Sequence, residues 1–103
     1  MTSEQRQLIG RCLYEAANGP YFPDWEFETL IGADRSAVRK AASKWLAGET
    51  LSVDSTRLTL SVLNYLLGYP HDRSPELESA VGEEIARIRS VFKVLGASLH
   101  SAP

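Results

Sequence analysis

Apolar residues recur along this chain with the 3.6-residue period of amphipathic helices, and each run stops at a glycine or proline. Leu8, Ile9, Cys12, Leu13 and Ala16 make the first stripe, with Glu4, Arg6, Gln7, Arg11 and Glu15 opposite, which predicts a helix over 3–17. Thr2 or Ser3 can cap its start, and Asn18-Gly19-Pro20 ends it, because glycine takes the left-handed conformation and proline cannot continue the ladder. A shorter helix over 23–31 opens on Pro23, with Asp24, Glu26 and Glu28 near the positive end of its dipole, and Gly32 closes it. Asp34 caps a third helix over 35–47, in which Ala37, Val38, Ala41, Ala42, Trp45 and Leu46 oppose Arg35, Ser36, Arg39, Lys40, Ser43 and Lys44.

Gly48-Glu49-Thr50 breaks the third helix, and Leu51-Ser52-Val53 reads as a short extended piece. A fourth helix, capped by Asp54 or Ser55 and reaching Leu67, carries Leu58, Leu60, Val62, Leu63, Tyr65, Leu66 and Leu67 around most of its circumference. That girth marks it as the central, most buried element. Ser74-Pro75-Glu76 then starts a long fifth helix to Leu95, whose Val81, Ile85, Ile88, Phe92 and Leu95 form a heptad seam with Glu83 and Arg87 as a supporting pair. No repeat of fixed period is evident. The fold class that follows is all-α, a bundle of about five helices in one domain over 1–96, with a flexible tail over 97–103.

The size and composition agree with this picture and exclude several others. A chain of 103 residues with 44% hydrophobic and 23% charged residues can bury a core without disulfides or a structural metal. The one cysteine, Cys12, sits on the apolar stripe of the first helix, where a thiol is inert, and gives no sign of an oxidising compartment. The N-terminus lacks the apolar core of a secretory signal and no run is long enough to span a membrane, so a cytoplasmic protein is expected. The only histidines, His71 and His100, lie in a loop and in the tail, which leaves no zinc pattern, no metal and no cofactor site. His71-Asp72 could orient each other but lacks a nucleophile, and no glycine-rich phosphate loop exists, so the chain is not expected to be an enzyme.

Charge is unevenly placed. The formal net charge is −2, yet residues 1–33 carry two cations and five anions, residues 34–57 five and three, and residues 58–103 four and five. The locally basic middle coincides with a segment that resembles a helix-turn-helix. A short helix ends at Leu30-Ile31-Gly32, a tight turn follows, and Val38 and Ala41 can pack the second helix on the first. Glu28 stands where the motif has a small residue, so its carboxylate must point outward or hold the two helices apart. By this resemblance Arg35, Ser36, Arg39, Lys40 and Ser43 face a DNA groove, with Lys44 or Arg57 near phosphates. Asp34 and the acidic amino-terminal third oppose that approach.

The other candidate is protein interaction. The fourth helix and the heptad seam expose more apolar surface than one small domain covers, which points to a homodimer or a protein partner, with Tyr21, Ile88, Phe92 and Leu95 as contact residues. Phe22, Trp25 and Phe27 are expected in the core. A small-molecule pocket among Trp25, Trp45 and Tyr65 is a third reading. The stretches YFPDWEFETLIG and NYLLGYPH are similar to segments of small bacterial proteins described only as hypothetical, a resemblance that implies no activity and no site residues. Noncatalytic interaction is the reading the sequence favours, with a DNA-binding regulator as the alternative.

Overall fold

In a computed structural model, six helices follow one another: α1 (Ser3–Asn18), α2 (Asp24–Ile31), α3 (Arg35–Leu46), α4 (Val53–Gly68), α5 (Ser74–Val81) and α6 (Ile85–Ser101). The structure describes residues 1–69 and 72–101, with only the backbone of 99–101. Among the described residues there is no strand, and the all-α class stands. Local signals set the ends. Thr2 and Gln5 form a reciprocal capping box, with Gln5 N donating to Thr2 Oγ1 at 3.1 Å and Thr2 N to Gln5 Oε1 at 2.8 Å. Asp34 Oδ1 accepts from Ala37 N at 2.9 Å. Ser52 keeps an extended backbone but is the N-cap of α4, accepting from Ser55 N at 3.1 Å, and Val53 is already helical.

The expected long fifth helix is two helices. Gly82 takes φ +76° and closes α5, and Glu78 Oε2 then accepts from Ile85 N at 2.8 Å to start α6. The heptad spacing conceals the break because Val81 and Ile85 flank the turn and both still face the core. Glu83 therefore sits outside the helix that holds Arg87. At the other end α6 continues through 97–101 where a tail was expected, and 102–103 lie outside the described residues.

The helices repeat with a fifty-residue period, contrary to the sequence reading. α1 and α4 begin and end fifty residues apart, α2 and α5 do likewise, and α3 and α6 start fifty apart. Thr2 and Ser52 cap equivalent ends, and Gly32 and Gly82 take the same left-handed turn at φ +84° and +76°. Among the described residues, every buried side chain of the second unit has a buried twin in the first: Thr59 with Ile9, Val62 with Cys12, Leu63 with Leu13, Leu66 with Ala16, Leu77 with Phe27, Val81 with Ile31, Ile88 with Val38, Val91 with Ala41, and Leu95 with Trp45. The packing is closed under the same exchange. α1 packs on α3 as α4 packs on α6, α5 rests on α1 as α2 rests on α4, α6 touches α1 as α3 touches α4, and α1 and α4 touch each other. The chain is two three-helix units related by a pseudo-twofold operation, each lending its short helix to the first helix of the other.

The most buried element is α1, not α4. Leu8, Ile9, Gly10, Cys12, Leu13, Ala16 and Ala17 of α1 are buried, against Thr59, Val62, Leu63 and Leu66 of α4, whose remaining leucines are half-buried. Small residues on α1 and α3 let those two helices approach closely. A Cβ on Gly10 would lie 2.7 Å from Leu46 Cγ and 3.2 Å from its backbone nitrogen. Thr59 is the one buried polar residue of the described core, and its hydroxyl accepts from the Trp45 indole at 3.0 Å while donating to Ser55 O at 2.8 Å.

Candidate nucleic-acid interface

The hairpin that resembles a helix-turn-helix is formed as a turn but packed differently. Gly32 supplies the left-handed residue, Asp34 caps α3, and Val38 and Ala41 are buried. α2 leans on α4 and α3 on α1, so each helix is held by another part of the bundle. Glu28 points outward, as the carboxylate requires.

Arg35 leaves the expected binding face. Its guanidinium turns inward, donating to Ala17 O at 2.9 Å, Phe22 O at 2.9 Å and Ala16 O at 3.4 Å, and stacks 4.4 Å over the Phe27 ring. The carbonyls at the end of α1 have no helical donors, and a cation at a helix C-terminus also meets the negative end of the dipole. The accompanying ion pair to Asp24 at 2.9 Å is a minor part, since that carboxylate is 96% exposed. Arg6 and Gln7 act in the reverse sense at the other end of the antiparallel pair. Gln7 Nε2 donates to Leu46 O at 2.8 Å, Arg6 donates to Glu49 O, and the Arg6 guanidinium lies 4.8 Å over Trp45.

What remains outward on α3 is a narrower stripe. Ser36, Arg39, Lys40 and Ser43 are exposed, while Lys44 is half-buried. Arg39 reaches Asn18 Oδ1 at 3.2 Å, and Ser43 donates to the Arg39 carbonyl at 3.2 Å, which folds that hydroxyl against its own helix. Arg57 is exposed on α4, a different element. A cleft of about 400 Å³ at the α2–α3 turn is lined by Asp24, Phe27, Glu28, Asp34, Arg35, Ser36 and Arg39, so the N-terminal edge of the stripe is rimmed by carboxylates.

The expected protein-contact residues lie mostly inside. Tyr21, Ile88 and Leu95 are buried at 2%, 1% and 4% exposure, and Phe92 is half-buried against the same core. The seam of α6 is occupied within the chain, by α4 and α1, rather than left for a partner. Burial, with the nearby Glu15 carboxylate, pushes the Tyr21 phenol up to about 12. Phe22 and Phe27 are core, packed edge to face at 5.8 Å, but Trp25 is not: it is 78% exposed. Trp45 is buried on Thr59, so Trp25, Trp45 and Tyr65 share no pocket. A helical wheel cannot separate these aromatics, because an eight-residue helix has too few turns to define one inner face.

Cys12 is buried, and desolvation raises its thiol to about 12, which leaves no thiolate for chemistry. Among the described residues no three His, Cys, Asp or Glu side chains converge as a metal would need, and His71 lies outside those residues. No described helix is long and apolar enough to cross a membrane. Comparison with family models, curated proteins and solved structures finds no match, so the functional reading rests on the chain's own geometry.

Proposed function

We propose that the protein is a noncatalytic binding module whose working surface is the outer stripe of α3, and that its ligand is double-stranded nucleic acid held by its phosphates. The observation that carries this reading is the make-up of the stripe: Ser36, Arg39, Lys40 and Ser43 are exposed, and α3 contains no carboxylate. Small polar residues between two cations let a helix come close to a polyanion. The contact is made by the last two turns of α3, because Glu28 and Asp34 repel phosphate at its start. With two phosphate contacts, the logarithm of affinity falls with the logarithm of salt at a slope of about −1.8. Anisotropy of a labelled duplex at low ionic strength tests this. The parent is expected to bind, and Arg39→Ala with Lys40→Ala to remove that slope; no binding by the parent, or an unchanged slope in the variant, rejects the reading.

Protein docking is favoured by a separate observation, the 78% exposure of Trp25 between Asp24 and Glu28. Exposed indoles are common anchors of interfaces. Because Trp45 is already buried, a shift of the tryptophan emission on docking comes from Trp25, and a concentration-dependent blue shift identifies a second copy of the chain as the partner.

A further inference from the structure

The pseudo-twofold relation brings a second helix into the same role as α3. Seven of the eleven Lys and Arg residues lie in the two third helices: Arg35, Arg39, Lys40 and Lys44 in α3, and Arg87, Arg89 and Lys93 in α6. Neither helix contains an aspartate or a glutamate. Moved by fifty residues, the α3 stripe Ser36, Arg39, Lys40, Ser43 falls on Ala86, Arg89, Ser90 and Lys93, all exposed. Each stripe therefore holds two cations and two small residues on the same four positions, with arginine retained at the 39/89 position and the lysine and serine exchanged between 40/90 and 43/93. Surface positions are free to drift where burial does not constrain them, so the match is not demanded by packing.

The two stripes face apart. α1, α3 and α4 touch mutually, as do α1, α4 and α6, so the two triangles share the α1–α4 edge and place α3 and α6 at opposite corners. Outer faces at opposite corners of the bundle cannot both lie against one side of a straight duplex. We propose that α6, through Arg89 and Lys93, is a second nucleic-acid-binding face, and that the chain bridges two duplexes, one on each flank. This rests on the α3 reading above.

The test uses the intact chain with two populations of short blunt duplex, one carrying a donor and the other an acceptor, at low ionic strength. The expected result is two duplexes per chain with energy transfer between them. Arg39→Ala with Lys40→Ala, and separately Arg89→Ala with Lys93→Ala, each leave one duplex bound and abolish the transfer; the four substitutions together abolish binding. All four side chains are exposed, and circular dichroism checks that the helices are retained. Loss of one duplex only in the α3 variant, with one duplex per chain in the parent, overturns the α6 face and leaves the α3 reading standing. Failure of the parent to bind any duplex overturns both. A single duplex lost equally in either variant overturns bridging in favour of one composite surface.

Discussion

The two three-helix units close the same architecture by different means. In the first, α1 and α3 meet through small residues, Gly10, Ala16, Ala17, Ala41 and Ala42, and lie closer together than α4 and α6 do. Small side chains bury little apolar area each, and the pair is fastened at both ends by side chains that reach backbone carbonyls: Arg35 onto the end of α1, Gln7 onto the last residue of α3, and Arg6 onto Glu49 in the turn that follows it. In the second unit the twins are Leu60, Leu66, Leu67, Val91 and Phe92, larger groups that fill a wider gap, and Ile85 and Thr56 stand where Arg35 and Arg6 stand in the first. Thr56 donates to Ser52 O, within its own helix. The scaffold thus requires an apolar pattern, a capped start and a left-handed glycine; polar clamps are needed only where small residues make the contact.

The largest expected effect tests whether the units are energetic equals. Leu13 and Leu63 are twins that keep the same residue, at 0% and 1% exposure. Truncation of either to alanine should cost about 2–5 kcal/mol, with the two values close to each other. Urea unfolding of both variants measures this. A gap as large as the smaller value would mean that the pseudo-twofold packing is geometric but not energetic.

The clamp comes next. Arg35→Ile places the twin's residue in the first unit and leaves the carbonyls of Ala16, Ala17 and Phe22 without that donor, a loss of about 2 kcal/mol. Ile85→Ala, with no such hydrogen bonds to lose, should differ in kind by showing no dependence on a polar partner. Asp24→Asn separates the ion pair from the carbonyl bonds: with its carboxylate 96% exposed, the change should be within about 0.5 kcal/mol. If Asp24→Asn costs as much as Arg35→Ile, the fastening is the ion pair and the contrast between the units is misassigned.

Helix starts and stops were readable because they depend on single residues with fixed conformational preferences. Thr2, Gly32, Asp34 and Pro75 act where the sequence places them. The repeat was not readable, because burial preserves a class of residue and not its identity: Val38 matches Ile88, Ile31 matches Val81, Trp45 matches Leu95. The break at Gly82 had a local signal, a glycine followed by an acidic pair before the next apolar run, like Gly32-Ala33-Asp34, but the unbroken heptad spacing outweighed it. At the candidate site, the wheel placed Ser36, Arg39 and Lys40 outward correctly and Arg35 wrongly. A wheel fixes the direction of Cβ, whereas an arginine is long enough to carry its guanidinium back over the neighbouring helix end. Trp25 escaped for a related reason. Its twin is Pro75 at the start of α5, and both are exposed, so neither unit buries that position.

The last effect is a pH dependence that is absent near neutral pH and appears only in alkali, where it again sets one unit against the other. Cys12 is buried in α1 and its twin in α4 is Val62, so the first unit carries an ionisable group in the core position that the second fills with hydrocarbon. Burial raises the Cys12 thiol from 9.0 to about 12. In the unfolded chain that thiol ionises near 9, while in the folded chain it stays protonated, so the stability present below pH 9 declines as pH rises through 9 towards 12. Tyr21, raised from 10.0 to about 12 chiefly by burial, acts with the same sign, and Tyr69, raised chiefly by its 2.6 Å hydrogen bond to Glu26, adds to it from the second unit. Cys12→Val, the twin's residue, should change stability by under about 1.5 kcal/mol at neutral pH and flatten the decline that begins near pH 9, leaving the later tyrosine part in place. Urea midpoints followed from neutral pH into the alkaline range for parent and variant decide it: parallel curves would show that the Cys12 thiol already reaches solvent in the folded chain.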